Sequence, residues 1–157
     1  MAEKEFLAKS YTEETIQEHT DKVLQEYERL KKFYKNCNVN WTLLEQACLY
    51  HDLGKMNSKF QRKIRNAEKV EDEVPHGILS TLFLDAKRLK EDFQGADDFK
   101  NFDDLDDAMY LLFSAIFYHH DRESFEKSDF TDNLEKNINR EKDSLQYIVK
   151  NFKYDKV

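Results

Sequence analysis

Three glycines and one proline in 157 residues leave this chain few places to turn or break. Beside plentiful Glu, Lys, Leu and Gln, that scarcity of breakers argues for an all-α protein. Cysteine is scarce as well: Cys37 and Cys48 make no zinc or disulfide framework and fit a reducing cytoplasm. Long apolar runs are missing. The longest, Leu111–Tyr118, is interrupted by Ser114 and is far too short to span a bilayer. Met1 to Ser10 holds no apolar signal-peptide core. The expectation is a cytoplasmic domain with no membrane partner. An excess of positive charge is absent too, since 25 Lys+Arg face 32 Asp+Glu for a net −7. That balance excludes a broad basic nucleic-acid surface; attraction for a phosphate backbone has to be local, metal-borne or supplied by another domain.

What is present reads as one domain over residues 1–157, long enough to bury a core. Six helices and no convincing strand are expected. The first runs from about Thr12, its cap, to Tyr34, with Ile16, Val23, Leu24, Tyr27 and Leu30 as its apolar stripe. The second runs from about Asn40 through Asp52 and stops at Gly54, a C-terminal breaker. A short basic helix, Ser58 to Asn66, leads to an acidic loop, Glu68 to Glu73. Pro75 opens a fourth helix that reaches about Lys90. Acidic Asp92–Asp107 reads as a loop, and Asp97–Asp107 within it lacks the spacing of a calcium loop and reads as solvated linker. Asp107 to His120 is apolar and helical, and Leu134 to Phe152 is a last amphipathic helix.

The five histidines, His19, His51, His76, His119 and His120, all fall within helices or at their ends. His51 directly precedes Asp52, and His119 and His120 are adjacent. Imidazole and carboxylate are the ligands of borderline and hard divalent metals. A carboxylate such as Asp52 is able to bridge two ions, and a pair about 3.5–4 Å apart activates water and steadies a phosphodiester's leaving oxygen. A single helical histidine is more often a hydrogen-bonded core residue. Five of them, buried without partners, would cost stability that coordination restores.

The stretch Tyr50-His51-Asp52-Leu53-Gly54-Lys55, followed by Phe60-Gln61, resembles the signature of the HD superfamily of metal-dependent phosphohydrolases. More narrowly, it is similar to the HD nuclease domain of the CRISPR type I helicase-nuclease. His19 matches that family's early helix histidine, His76 in Pro75-His76-Gly77-Ile78-Leu79-Ser80 its next one, and His119-His120 its double histidine. The resemblance spans roughly Gln17 to Asp121. It implies a compact all-helical domain with two metal sites sharing Asp52, one of His19, His51 and Asp52, the other of Asp52, His76, His119 and His120. It further implies cleavage of single-stranded DNA in CRISPR interference, with two divalent ions drawn from manganese, iron, cobalt or nickel, magnesium being a further option. A helicase domain or subunit feeds the strand, in the context of the CRISPR surveillance complex. The family closes its first site with an aspartate on a helix well downstream of the double histidine. Only 37 residues follow His120, and Asp121, Asp129, Asp132 and Asp143 match no such context. Either one of them substitutes, or the chain is a fragment lacking a C-terminal part or a helicase domain, or the first site is degraded.

Asp52 and Lys55 are the expected catalytic residues, the Lys55 ammonium neutralising a non-bridging phosphate oxygen. A lysine just past a helix end is also what the helix dipole favours. Lys59, Arg62, Lys63 and Arg65, in a run without acidic residues, are the candidate DNA-backbone contacts; such a run also serves as plain solvated surface. Phe60 reads as core, with base stacking as the other option. Two further readings compete with the nuclease: an HD phosphohydrolase acting on nucleotides or small phosphoesters, and a non-catalytic helical module binding an interference partner.

Overall fold

A computed structural model describes residues 5–67, 69–71, 73–94, 99, 105–120, 128–152 and 154, with the side chains of 128–133 and 149 left aside. The domain is all-α. Among the described residues there are seven α-helices: α1 Ile16–Phe33, α2 Trp41–Tyr50, α3 Ser58–Asn66, α4 His76–Ser80, α5 Ala86–Phe93, α6 Leu105–Phe117 and α7 Ser128–Asn151. Two single turns of 3-10 helix, Leu53–Met56 and Thr81–Phe83, join α2 to α3 and follow α4. None of the described helices is long and apolar enough to cross a membrane.

Several boundaries differ from those expected, each for a local reason. Thr15, not Thr12, caps α1: its hydroxyl accepts from the Glu18 N–H while the Glu18 carboxylate accepts from the Thr15 N–H, a reciprocal capping box. Residues before it turn back instead, with Glu13 in the left-handed region (φ 49°) and Leu7 bridged to Thr15. The second helix ends at Tyr50, and Gly54 lies inside the 3-10 turn, where close packing explains it better than helix breaking. The fourth helix does not reach Lys90 in one piece. It stops at Ser80, passes through the 3-10 turn and extended Leu84, and restarts as α5, where the Asp85 side chain accepts from the Arg88 N–H. That cap, together with the Thr81 hydroxyl donated to the Ile78 carbonyl, makes seven helices where six were expected. Helix α6 starts at Leu105 and α7 at Ser128, so the ends of the expected loop and interval are helical; the rest of 95–104 lies outside the described residues, Phe99 apart.

The core forms where the short pieces meet. Leu53 and Met56 of the first 3-10 turn, Leu79 of α4, Leu112 and Ile116 of α6, Ile16 of α1 and Leu145 of α7 are all at most 1% exposed. Each such side chain contributes about 1.5–3 kcal/mol relative to exposure. Helix α4 packs on the Leu53–Met56 turn and on α6, α2 packs on α1 and α6, and α7 closes over both 3-10 turns. The consequence is positional: the C-terminal ends of α2 and α6, the start of α4 and the first turn of α1 converge on one point.

Candidate metal centre

Asp52 sits at that point, only 1% exposed. Its two carboxylate oxygens face different partners. Oδ2 lies 3.2 Å from His19 Nε2 and 3.4 Å from His51 Nε2; Oδ1 lies 3.3 Å from His76 Nε2 and 3.6 Å from His119 Nε2. The ring of His120 completes the second side, 4.7 Å from that of His76 and 4.2 Å from that of His119, centroid to centroid. All five histidines therefore gather round one carboxylate. They form two groups able to hold a metal ion, Asp52 with His76, His119 and His120, and Asp52 with His19 and His51, the ligand atoms within 4.8 Å of one another.

Close backbone approach makes the convergence possible. A Cβ on Gly54 would lie 2.1 Å from the His76 carbonyl oxygen and 2.7 Å from the Ser80 nitrogen. One on Gly77 would lie 2.8 Å from the Phe117 carbonyl oxygen and 3.1 Å from His119 Nδ1. Two of the three glycines are thus spent on docking α4 against the 3-10 turn and the end of α6. The buried Ser80 hydroxyl donates to the His51 carbonyl (2.7 Å) and accepts from the Gly54 N–H (2.8 Å), tying α4 to the histidine–aspartate turn. Asn57 caps α3 and donates to the Gly54 carbonyl. Gln61 donates to the carbonyls of Leu7 and Lys55 and accepts from the Leu7 N–H, pinning the N-terminal segment to the same turn.

Among the described residues, three buried polar atoms of the centre have no hydrogen-bond partner, Asp52 Oδ1, His76 Nε2 and His119 Nε2, as does Thr20 Oγ1 on α1; it is the three at the centre that matter here. Buried acceptors are normally satisfied, and these three converge, so the donor set fits a divalent cation that accepts all of them. The charges agree. Burial lowers His76, and at His120 burial and the neighbouring His119 and His76 bring the value down to about 4. At neutral pH these two imidazoles are uncharged, the form in which they donate to a metal.

Residues 8–155 match the family described as Cas3, HD domain. The chain belongs to that family. The Cas3 HD assignment makes it a CRISPR-associated, metal-dependent hydrolase of the HD type, with nucleic acid as its substrate class and a helicase as its context. Neither the curated proteins nor the solved structures gave a match.

Lys55 is buried and donates to Asp52 Oδ2 at 2.7 Å. Phe60 is half-buried at the edge of the centre, its ring 5.6 Å from that of His76 with the Lys55 and Lys63 ammonium groups over it, and is outside the core it was expected to join. The basic run on α3 is largely engaged: Lys63 pairs with Glu73, Lys59 lies 3.5 Å from Glu141, and Arg65 donates to the Glu5 carbonyl. Of the possible closing aspartates, Asp143 is exposed on α7 and joins neither group; Asp121 and the side chains of Asp129 and Asp132 lie outside the described residues. A residue the sequence reading passed over is Glu14, 5% exposed, whose Oε2 lies 3.5 Å from His19 Nδ1. The signal was available in Glu14-Thr15-Ile16-Gln17-Glu18-His19, where an acidic residue directly precedes the cap of the helix that carries a histidine ligand candidate.

Proposed function

We propose that this domain is an endonuclease that hydrolyses phosphodiester bonds of single-stranded DNA in CRISPR interference, using two divalent transition metal ions. The observation that carries the reading is the division of labour at Asp52, one oxygen towards His19 and His51, the other towards His76 and His119. A carboxylate with both oxygens so placed would be able to serve two ions at once. His19, His51 and Asp52 would hold one ion, and Asp52, His76, His119 and His120 the other. Bound ions of this kind, manganese, iron, cobalt, nickel or magnesium, acidify water and neutralise charge developing on a phosphate.

The chain's own residues do the rest. Asp52 keeps the two halves at a fixed spacing. Lys55, anchored on Asp52 Oδ2, holds a positive charge at the side of the centre and offsets negative charge on a non-bridging oxygen. Lys59, Arg62, Lys63 and Arg65 are the proposed backbone contacts along α3. The Lys63–Glu73 pair is surface-exposed on the lysine side and worth about 0–1 kcal/mol, so exchanging Glu73 for a phosphate costs little. Phe60, beside His76, offers a ring edge to an unstacked base, which a single strand supplies more readily than a duplex. A helicase domain or subunit that delivers the unwound strand fits a chain whose net charge of −7 is poorly suited to capturing DNA unaided.

Incubating the protein with circular single-stranded DNA and each metal in turn tests the proposal, with Asp52→Ala as control and free nucleotides as a second substrate. Metal-dependent loss of the circle, abolished by the Asp52 change, is the expected result. Hydrolysis of nucleotides with intact circles would replace the nuclease by a nucleotide phosphohydrolase, and failure to bind any metal would leave only a binding role.

A further inference from the structure

A histidine that gives Nε2 to a metal needs its proton on Nδ1, and Nδ1 then needs an acceptor. Two of the inward-facing imidazoles solve this with their own backbone. His51 Nδ1 lies 2.8 Å from the Cys48 carbonyl oxygen and His119 Nδ1 lies 2.6 Å from that of Ile116. Both carbonyls belong to the last turn of a helix, α2 and α6, where carbonyls have lost their intrahelical partners. His19 has no such recourse. It stands in the first turn of α1, where the unpaired backbone groups are N–H donors. A donor cannot take a proton from Nδ1, so the acceptor has to come from a side chain.

Glu14 is that side chain. Its Oε2 lies 3.5 Å from His19 Nδ1, on the opposite side of the ring from Asp52, which faces Nε2 at 3.2 Å. The Glu14 carboxylate is held firmly. Lys22 donates to Oε1 at 2.7 Å and Lys9 lies 2.9 Å from Oε2. Its carbonyl accepts from the N–H groups of Ala8 and Lys9, and the left-handed Glu13 turns the chain into this position. The His19 side of the centre is the poorer one, with two histidines against three.

We propose that Glu14 is a positioning residue for His19: its carboxylate faces and accepts the Nδ1–H, leaves the Nε2 lone pair free for a metal ion beside Asp52, and sets the affinity of the His19–His51–Asp52 group. The inference deepens the metal-ion reading of the centre and rests on it for the affinity, but not for the position of the proton. A carboxylate partner makes His19 a stronger donor than a backbone carbonyl would, which compensates the smaller ligand set on that side.

The first measurement therefore uses metal-free protein. Long-range proton–nitrogen NMR of 15N-labelled wild type at pH 8 is expected to show His19 protonated at Nδ1, as are His51 and His119, the internal controls. In Glu14→Ala the proton moves to Nε2 of His19 alone, while Lys22→Ala, which removes an ion pair but keeps the carboxylate, leaves it on Nδ1. Calorimetric titration with manganese is the second readout. Glu14→Ala weakens one of two binding events about 10–100-fold, the same event that His19→Ala removes, and changes the other far less. Glu14→Gln, nearly isosteric and still able to accept through its amide oxygen, falls between and serves if Glu14→Ala does not fold. An unchanged His19 tautomer in Glu14→Ala overturns the proposal and makes Glu14 only an ion-pair hub. A wild type that takes up no manganese overturns the two-ion reading, with the NMR result still deciding where Glu14 puts the proton.

Discussion

Gly54 and His76 meet backbone to backbone: no side-chain carbon fits between Gly54 and the His76 carbonyl oxygen, which a Cβ would approach to 2.1 Å. This contact fixes where the second histidine-bearing helix begins, and through it the position of His76 relative to Asp52.

Gly54→Ala forces α4 away from the 3-10 turn. Expected is a loss of about 3 kcal/mol in urea unfolding, together with loss of manganese binding to the His76 side at protein concentrations where wild type is saturated. Full retention of both would show that the two backbones have room to part.

Ser80→Ala removes the hydroxyl that ties the histidine–aspartate turn to α4, leaving the Gly54 N–H and the His51 carbonyl without it. An unsatisfied buried N–H costs about 1–3 kcal/mol. Thermal unfolding reads that loss directly, and hydrogen exchange at Gly54 should accelerate more than exchange in α7.

Gln61→Leu keeps the volume and deletes three hydrogen bonds, two of which hold Leu7. The N-terminal segment is then released from the 3-10 turn. Limited proteolysis before Thr15 should become faster in the variant while the helical circular dichroism stays near the wild-type level.

Glu14 also leaves a mark on acid stability. Its pKa is lowered from 4.5 to about 2, chiefly by hydrogen bonds from Lys22 and Lys9. A carboxylate lowered on folding stabilises the folded state above its unfolded value and loses that contribution as pH falls through the folded one. Wild type should therefore lose more stability than Glu14→Gln between about pH 4.5 and pH 2. Parallel curves from urea titrations across that range would show that the Lys22 and Lys9 contacts do not persist in solution.

Asp52→Asn is nearly isosteric but gives up the charge that both histidine groups share. Manganese binding should disappear from both groups, whereas His120→Ala, on the open edge of one, should weaken one event much more than the other. The buried Lys55 ammonium loses its counter-charge in Asp52→Asn, so the metal-free variant should gain little or no stability despite losing a buried carboxylate.

The all-α class could be read from composition and periodicity because α1, α2 and α3 carry side-chain caps and α1 and α7 carry apolar stripes. The order of the histidines around His51-Asp52 could be read as well, since each occupies a helix end. What sequence did not show came from local side-chain bonds inside an apolar run and from tertiary contact. The break between α4 and α5 depends on Thr81 bonding back to Ile78 and on Asp85 capping a new helix, signals easily hidden inside an apolar run. The role of Gly54 as a contact point, and not a helix breaker, appears only once α4 is docked. Lys63 and Lys59 looked unpaired in sequence because Glu73 and Glu141 lie 10 and 82 residues further along. Glu14 stayed hidden because its partner His19 is reached across a capped turn, not along one face of a helix.

Because one carboxylate serves both halves of the centre, the halves share a lever. Any tilt of Asp52 that shortens its reach towards His19 and His51 lengthens it towards His76 and His119. Filling one half must then alter the affinity of the other, and by the same factor in each direction. Occupancy of the poorer half becomes a property of the whole centre, so its response to metal supply should follow a curve that two independent sites cannot reproduce.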